Sequence, residues 1–385
     1  MSVSRRTLLQ MGVAGLTPSQ FTSGAWAQQS GPIKIGVLFP MSGGAGPQGQ
    51  LQAKAVEAMA SLLNERGGVL GRKIDLLVKD DESTPAIGIS RANELIAERV
   101  SAVIEGFNSP VTLALQPLLV RAGILDITAI SKVDAVLSGE GNPLAIRLNS
   151  SNELDGEVIA KYIAGTLKPK RIAFMAQNDV FGQGAQDSIE SQLKKLGYAY
   201  ERVAEEKFPF TQSDFRVALT NVKGANPDLT VVINASNGQG LPALIRQARQ
   251  ARLQSPIITS TGTMIPSTVE LAGSAADGVV SADIYVGGVE PFLSNPVNKM
   301  FVERVRKLFN MDPDKNMTVS ALCLQVWAAA AEELKTLERE PLAKRIRGGR
   351  FNGTIMGDVA FASNGQLLSR YYLFRVGGGK MIPFN

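Results

Sequence analysis

Residues 33–81 read IKIGVLFPMSGGAGPQGQLQAKAVEAMASLLNERGGVLGRKIDLLVKDD, and the order of signals within them decides the fold. Ile33 to Phe39 is a short apolar run, β-branched enough for a buried strand, after which Pro40, Ser42, Gly43, Gly44 and Gly46 turn the chain. Leu51, Ala55, Met59, Leu62 and Leu63 recur at spacings of three and four. That spacing predicts a helix with one buried stripe, and Gly67-Gly68 supplies its left-handed stop. A second strand, Lys73 to Lys79, ends at Asp80-Asp81. Strand, crossover helix and parallel strand form a βαβ unit, whose handedness places the first loop at the carboxyl edge of the sheet, where such folds take ligands.

The same loop spells GxGxxG in Gly44-Ala45-Gly46-Pro47-Gln48-Gly49, but its context argues against a dinucleotide. Four residues separate the strand from the first glycine, and Pro47 removes a backbone N–H where a pyrophosphate needs donors. Asp80 also stands well beyond the spacing of about 20 residues at which the ribose-binding acid is expected.

The pattern PMSGG, then the QG that contains Gln48, then NERGGVLGRKIDLLVKDDESTP resembles the start of the type I periplasmic solute-binding proteins of the leucine/isoleucine/valine-binding family. The resemblance continues to the C-terminus. It implies an α/β fold of two doubly wound lobes joined by a three-strand hinge, with a small solute held between them and no catalysis. On that basis lobe 1 is expected over residues 32–148 plus 279–360, and lobe 2 over 149–278 plus 361–385.

The alternation persists beyond Asp81. Thr84 is placed to cap a helix with Pro85 at its first position, and Ala102 to Ile104 reads as the third strand. Phe107-Asn108-Ser109-Pro110 follows, where Ser109 can cap the next helix, whose N-terminus offers free N–H groups and positive potential to an anion. Capping alone would also account for Ser109. After the fourth strand, Ile124 to Thr128, come Ile130, Ser131 and Lys132, which match the family's second ligand-contacting loop, with Lys132 at the family's threonine. Lys132 either faces the cleft or is solvated as most lysines are.

The second lobe is expected to repeat the plan: helix 153–167, strand 171–176, helix 184–196, strand 200–206, helix 213–222, strand 229–233, helix 240–252 and strand 256–260. Asp179-Val180-Phe181-Gly182-Gln183-Gly184 corresponds to the family's D-x-x-Y-G-x-G loop, so Phe181 stands where a tyrosine packs on the ligand. A local packing plug is the alternative. Asn237 follows the strand ending at Ile233, and Thr261 stands where the family's amino-acid binders keep the glutamate that pairs the ligand's ammonium. Asp277 to Tyr285 reads as the return crossing, helices near 295–310 and 318–338 rejoin the first lobe, and strands 371–376 and 380–384 cross once more.

The remaining observations bound the function. Ser4-Arg5-Arg6-Thr7-Leu8-Leu9 and then Ala25-Trp26-Ala27 read as a secretory signal of the twin-arginine type, cleaved after residue 27. The chain of 385 residues is long enough for two domains without it, and its formal charge of +5 falls by two when Arg5 and Arg6 leave. No basic cluster suggests nucleic acid. With no histidine and only Cys323, disulfides and His-based triads are excluded. The sequence thus predicts a monomeric periplasmic protein without cofactor or metal that hands a carboxylate-bearing solute to an ABC permease of the inner membrane. The candidate ligand residues are Gln48, Asn108, Ser109, Ile130, Ser131, Lys132, Phe181, Asn237 and Thr261. A ligand sensor of the same fold is the alternative, and an enzyme using a carboxylate pair or lysine in the cleft is the third reading.

Overall fold

Ile33, Ile35, Val37 and Phe39 point to one face of the first strand and Leu38 to the other, and all five are buried, so this strand lies inside a sheet covered on both sides. The computed structural model describes residues 31–137 and 142–384; the expected signal segment, residues 1–27, lies outside the described residues.

The first sheet is built from β1 (Ile33–Phe39), α1 (Gly46–Glu65), β2 (Ile74–Asp80), α2 (Pro85–Ala97), β3 (Ala102–Glu105), α3 (Ser109–Arg121), β4 (Leu125–Thr128) and β5 (Ala145–Arg147). Its strands run parallel in the order β2-β1-β3-β4-β5. The chain then enters α4 (Asn152–Tyr162), β6 (Arg171–Gln177), α5 (Val180–Lys195), β7 (Glu201–Phe208), α6 (Arg216–Gly224), β8 (Leu229–Ile233), α7 (Gly240–Gln250), β9 (Ile257–Thr259), α8 (Pro266–Ala272) and β10 (Val280–Asp283). After β10 come α9 (Pro296–Phe309), α10 (Lys315–Leu334), α11 (Arg339–Ile346), and a small antiparallel sheet of β11 (Arg350–Thr354), β12 (Gly357–Phe361) and β13 (Leu367–Leu368). Finally β14 (Tyr372–Gly377) and β15 (Lys380–Pro383) complete a seven-stranded sheet of order β15-β14-β10-β9-β8-β6-β7.

Helices α9 and α10 lie on α1, and the fully buried Trp327 of α10 sits in one core with Ile35, Phe39 and Met59. Cys323 is buried in the same helix, its thiol donating to the Val319 carbonyl at 3.3 Å. The connections between the two sheets are tied together by Arg147. Its Nε donates to Gln366 Oε1 at 2.7 Å and its Nη1 to the Val133 carbonyl at 2.7 Å, while Gln366 Nε2 donates to the Asn149 carbonyl at 2.6 Å. Burial lowers the Arg147 pKa to about 10.

Several boundaries differ from expectation for local reasons. The helix expected over 153–167 keeps α geometry only to Tyr162 and then widens into a π turn, Ile163–Leu167, closed by Lys168 at φ 48°. Helix α10 begins at Lys315, capped by Asp314, whose carboxylate accepts from the Met317 N–H at 2.8 Å; the apolar periodicity alone shows only the part from residue 318. The stretch read as the return crossing carries β10, which pairs parallel with β9 and antiparallel with β14 inside the second sheet.

Candidate functional site

The carboxyl ends of β3, β4, β6, β7, β8 and β9 converge on one cavity walled by loops of both sheets. Asn108, Ser109, Ile130 and Lys132 line it from the first sheet's loops, and Phe181, Asn237 and Thr261 from the second's. Ser131 is buried behind them, its hydroxyl donating to Ser109 Oγ at 3.1 Å. Gln48, in the first turns of α1, lines an adjoining cavity with Phe210 and Asn237, and its Oε1 is buried without a partner.

Ser109 is not the helix cap. Asn108 holds that position without a side-chain bond, and Ser109 is the first residue of α3 with Pro110 second, so its hydroxyl is free of a capping role. The Ile130 N–H is spent on the Gly106 carbonyl at 3.1 Å, which removes it from the donors expected for a ligand. Lys132 is neither solvated nor free. It is 5 % exposed, and its ammonium donates to Asp155 Oδ2 at 2.6 Å, to the Thr261 carbonyl at 2.8 Å and to Thr261 Oγ1 at 2.9 Å. One lysine from the first sheet's β4 loop therefore clamps α4 and the loop after β9.

Asp179 lines the cavity and caps α5, its two oxygens accepting from the Gly182 N–H and from Gln177 Nε2 at 2.9 Å each, so its carboxylate is oriented by the helix start. Phe181 is both things considered for it: a wall of the cavity and a member of the core between α4, α5 and the second sheet. Asn237 Nδ2 donates to the Thr263 carbonyl at 2.7 Å.

Phe107, Asp179, Ala235, Gly262 and Thr263 of the expected loops also line the cavity without being among the candidate residues, and Gln177, Phe210, Lys315 and Asn316 line it from outside those loops. Phe210 follows β7 and meets Phe107 of the first sheet's loop edge to face, with ring centroids 6.5 Å apart. Lys315 and Asn316 open α10. Their signal was a lysine in the first turn of a helix, where it opposes the macrodipole. Burial is the main cause that pushes the Lys315 pKa down to about 8; Asp283 acts against it and Lys132 with it.

A family model described as periplasmic binding protein matches residues 32–380. Leu/Ile/Val-binding protein homolog 1 of Brucella suis is 27 % identical over 361 residues, which is 94 % of this chain and 93 % of that protein. Two solved structures share the fold. The branched-chain amino acid substrate-binding protein LivJ of Streptococcus pneumoniae, in complex with isoleucine, superposes with a TM-score of 0.81 at 23 % identity, covering 92 % of this chain and 99 % of that one. An R. palustris ABC transporter solute-binding protein in complex with benzoate gives 0.82 at 21 % identity, covering 92 % and 95 %. The match of the family model over nearly the whole described chain, together with two α/β lobes whose strand ends face a shared cavity, makes this chain a member of the periplasmic binding protein family.

Proposed function

We propose that this protein captures a small carboxylate-bearing solute between two lobes outside the cytoplasm and delivers it to an ABC permease, with no chemistry on the solute. The observation that carries the reading is the cavity itself, which both sheets wall with strand-end loops, so that a ligand adds contacts only when the lobes are together. In place of the expected lobe starts at 149, 279 and 361, boundaries near residues 149, 284 and 369 fit this motion better; the pairing of β10 with β14 and of β13 with β12 supports them. No helix among the described residues is long and apolar enough to cross a membrane, and the family works in the periplasm.

The solute is an organic acid without an α-amino group. The N-terminus of α3 and the Ser109 hydroxyl favour a carboxylate, and Phe107, Phe181, Phe210 and Ile130 favour an apolar or aromatic body. An ammonium in this cavity is poorly served. Thr261 stands where the amino-acid binders keep their acid, Asp155 is paired with Lys132 and Asp179 is held at the start of α5, so an enclosed amine exchanges its hydration for at most a shared carboxylate, against two buried lysines nearby. Of the solutes bound by the related structures, benzoate fits these walls better than isoleucine.

Calorimetric titration with benzoate, 4-methyl-2-oxopentanoate and leucine tests the reading. Either acid is expected to bind at least about tenfold tighter than leucine, a difference of about 1.4 kcal/mol; leucine binding tightest overturns it. For export, changing Arg5 and Arg6 together to lysine is expected to leave the precursor uncut in the cytoplasm. Cell fractionation reads this directly, and normal export of the double variant would indicate a general secretory route. Neighbouring permease genes would separate transport from sensing by the same fold.

A further inference from the structure

We propose that Lys315 is the residue that anchors the solute's charge, its ammonium holding an anionic group at the end of the cavity formed by Thr261, Gly262 and Asn316. This rests on the solute-binding reading above and names the cation that reading lacks, because Lys132 is already fully paired.

Lys315 is 2 % exposed, and its Nζ is the only buried ammonium among the described residues without a hydrogen-bond partner. An ammonium has three donors, and withdrawing it from water with none of them satisfied is among the costliest arrangements a folded protein can hold. Lys132 shows what satisfaction looks like in the same neighbourhood, with a carboxylate and two threonine oxygens around it. Asp283 is the counter-charge that acts most strongly on Lys315, but the two form no ion pair: Asp283, whose Oδ2 is also buried without a partner, lines a second cavity beside Tyr285 that Lys315 borders too, and Lys315 alone of the two lines the cleft. The protein thus offsets part of the charge from behind and sets no carboxylate hydrogen-bonded to the ammonium on the cleft side.

Three other features converge on the same spot. Gly262 has φ +69°, and a Cβ there would lie 2.8 Å from Lys315 Nζ and 3.2 Å from Lys132 Nζ, so a glycine is what lets both ammonium groups crowd against this loop. Two cations that close repel each other, and only one of them has a carboxylate. The N-terminus of the 20-residue helix α10 adds its own positive potential, and a lysine in its first turn raises that potential further at a cost to helix stability. Asn316, next along, is also 2 % exposed, and its Oδ1 lacks a partner as well. The two adjacent buried groups ask for different things: Lys315 Nζ needs an acceptor, which an anion supplies, and Asn316 Oδ1 needs a donor, which a hydroxyl or N–H group of the solute supplies. Because the α3 N-terminus is a second anion-favouring element of the cavity, an acid with a second acceptor group, such as a 2-oxo acid or a dicarboxylate, suits it better than a simple monocarboxylate.

The test is calorimetric titration of wild type, Lys315→Met and Lys315→Gln with benzoate, 4-methyl-2-oxopentanoate and 2-oxoglutarate, alongside melting temperatures without added acid. The best acid for wild type is expected to bind about a hundredfold more weakly to either variant, the scale of a lost charge-assisted hydrogen bond in a buried site. Without acid, the variants should melt at or above the wild-type temperature, because they remove a buried charge that has no partner. Unchanged affinity in the variants overturns the role of Lys315 while leaving the solute-binding reading intact, as does a lowered melting temperature with affinity preserved. Wild type binding none of the three acids overturns the carboxylate reading, and this inference with it.

Discussion

Replacing Asp155 by alanine is expected to weaken solute binding by more than about a hundredfold while leaving each lobe folded. Asp155 accepts from Lys132 Nζ at 2.6 Å through one oxygen and from the Tyr371 hydroxyl at 2.9 Å through the other, and both members of the ion pair are buried. Truncating one partner of a buried pair strands the other charge, at a cost of about 3–5 kcal/mol. Here the pair joins the β4 loop of the first sheet to α4 and, through Thr261, to the loop after β9, so the cost falls on the closed arrangement rather than on either core. At about 1.4 kcal/mol per tenfold, even the low end of that range exceeds a hundredfold in affinity. Calorimetry gives the affinity and solution scattering the compactness, and the variant should remain expanded at acid concentrations that compact the wild type. Equal affinity and equal compactness in the variant would remove the clamp from the mechanism. A Lys132→Met, Asp155→Leu double variant should recover most of the loss, because it removes both charges together.

The second large effect concerns Asp126. It lies on an interior strand of the first sheet with both carboxylate oxygens buried, the Gln116 side chain nearby acting weakly against the effect of burial, one strand away from Glu105, whose carboxyl accepts from Thr112 at 2.8 Å and Thr128 at 2.5 Å. Burial pushes the Asp126 pKa up to about 7 from 3.8, and burial followed by the Asp126 charge pushes Glu105 up as well. A carboxyl whose folded pKa lies above its unfolded value is favoured in its protonated form. Its contribution is complete below about pH 4 and is lost as pH rises through about 7. Asp126→Asn, which cannot ionise, is therefore expected to match wild type in melting temperature near pH 4. The variant should then become progressively more stable than wild type, by up to about 4 kcal/mol at pH 8. Melting curves across that range read the difference; a gap that does not change with pH would show that Asp126 ionises freely in the folded protein.

The βαβ grammar was legible because it is written locally. Apolar runs such as Ile33–Phe39 and Leu229–Ile233, glycine stops and proline-led helix starts each fix an element from a few neighbouring residues. The site was legible only where strand-end loops carry it, as at Ser109, Phe181, Asn237 and Thr261, because in a parallel sheet those loops necessarily share an edge. What stayed hidden depends on distant chain. The fate of Lys132 is decided by Asp155 and by Thr261, 129 positions away, and no spacing rule connects them. Lys315 reaches the cavity only because α10 returns to cover α1, and its polar first turn lies upstream of the apolar rhythm that marks the helix. Phe210 escaped because the loop after β7 carries no pattern beyond one aromatic, and the π turn at Ile163–Leu167 because Gly165 and Thr166 weaken a helix without specifying how it widens.

The interleaved path of the chain bears on how it is made. β10 ends at Asp283, yet the strand that covers its open edge, β14, begins at Tyr372, and the face of α1 stays bare until α10 arrives with Trp327. A nascent chain emerging from the ribosome therefore cannot finish its first half and then its second, as a string of consecutive domains does. Until α10 is translated it presents an uncovered apolar helix face, and until β14 is translated an unpaired sheet edge, both of which invite association with other chains. Both cores therefore close only after most of the chain has been made, so folding of either half waits on segments far downstream in sequence.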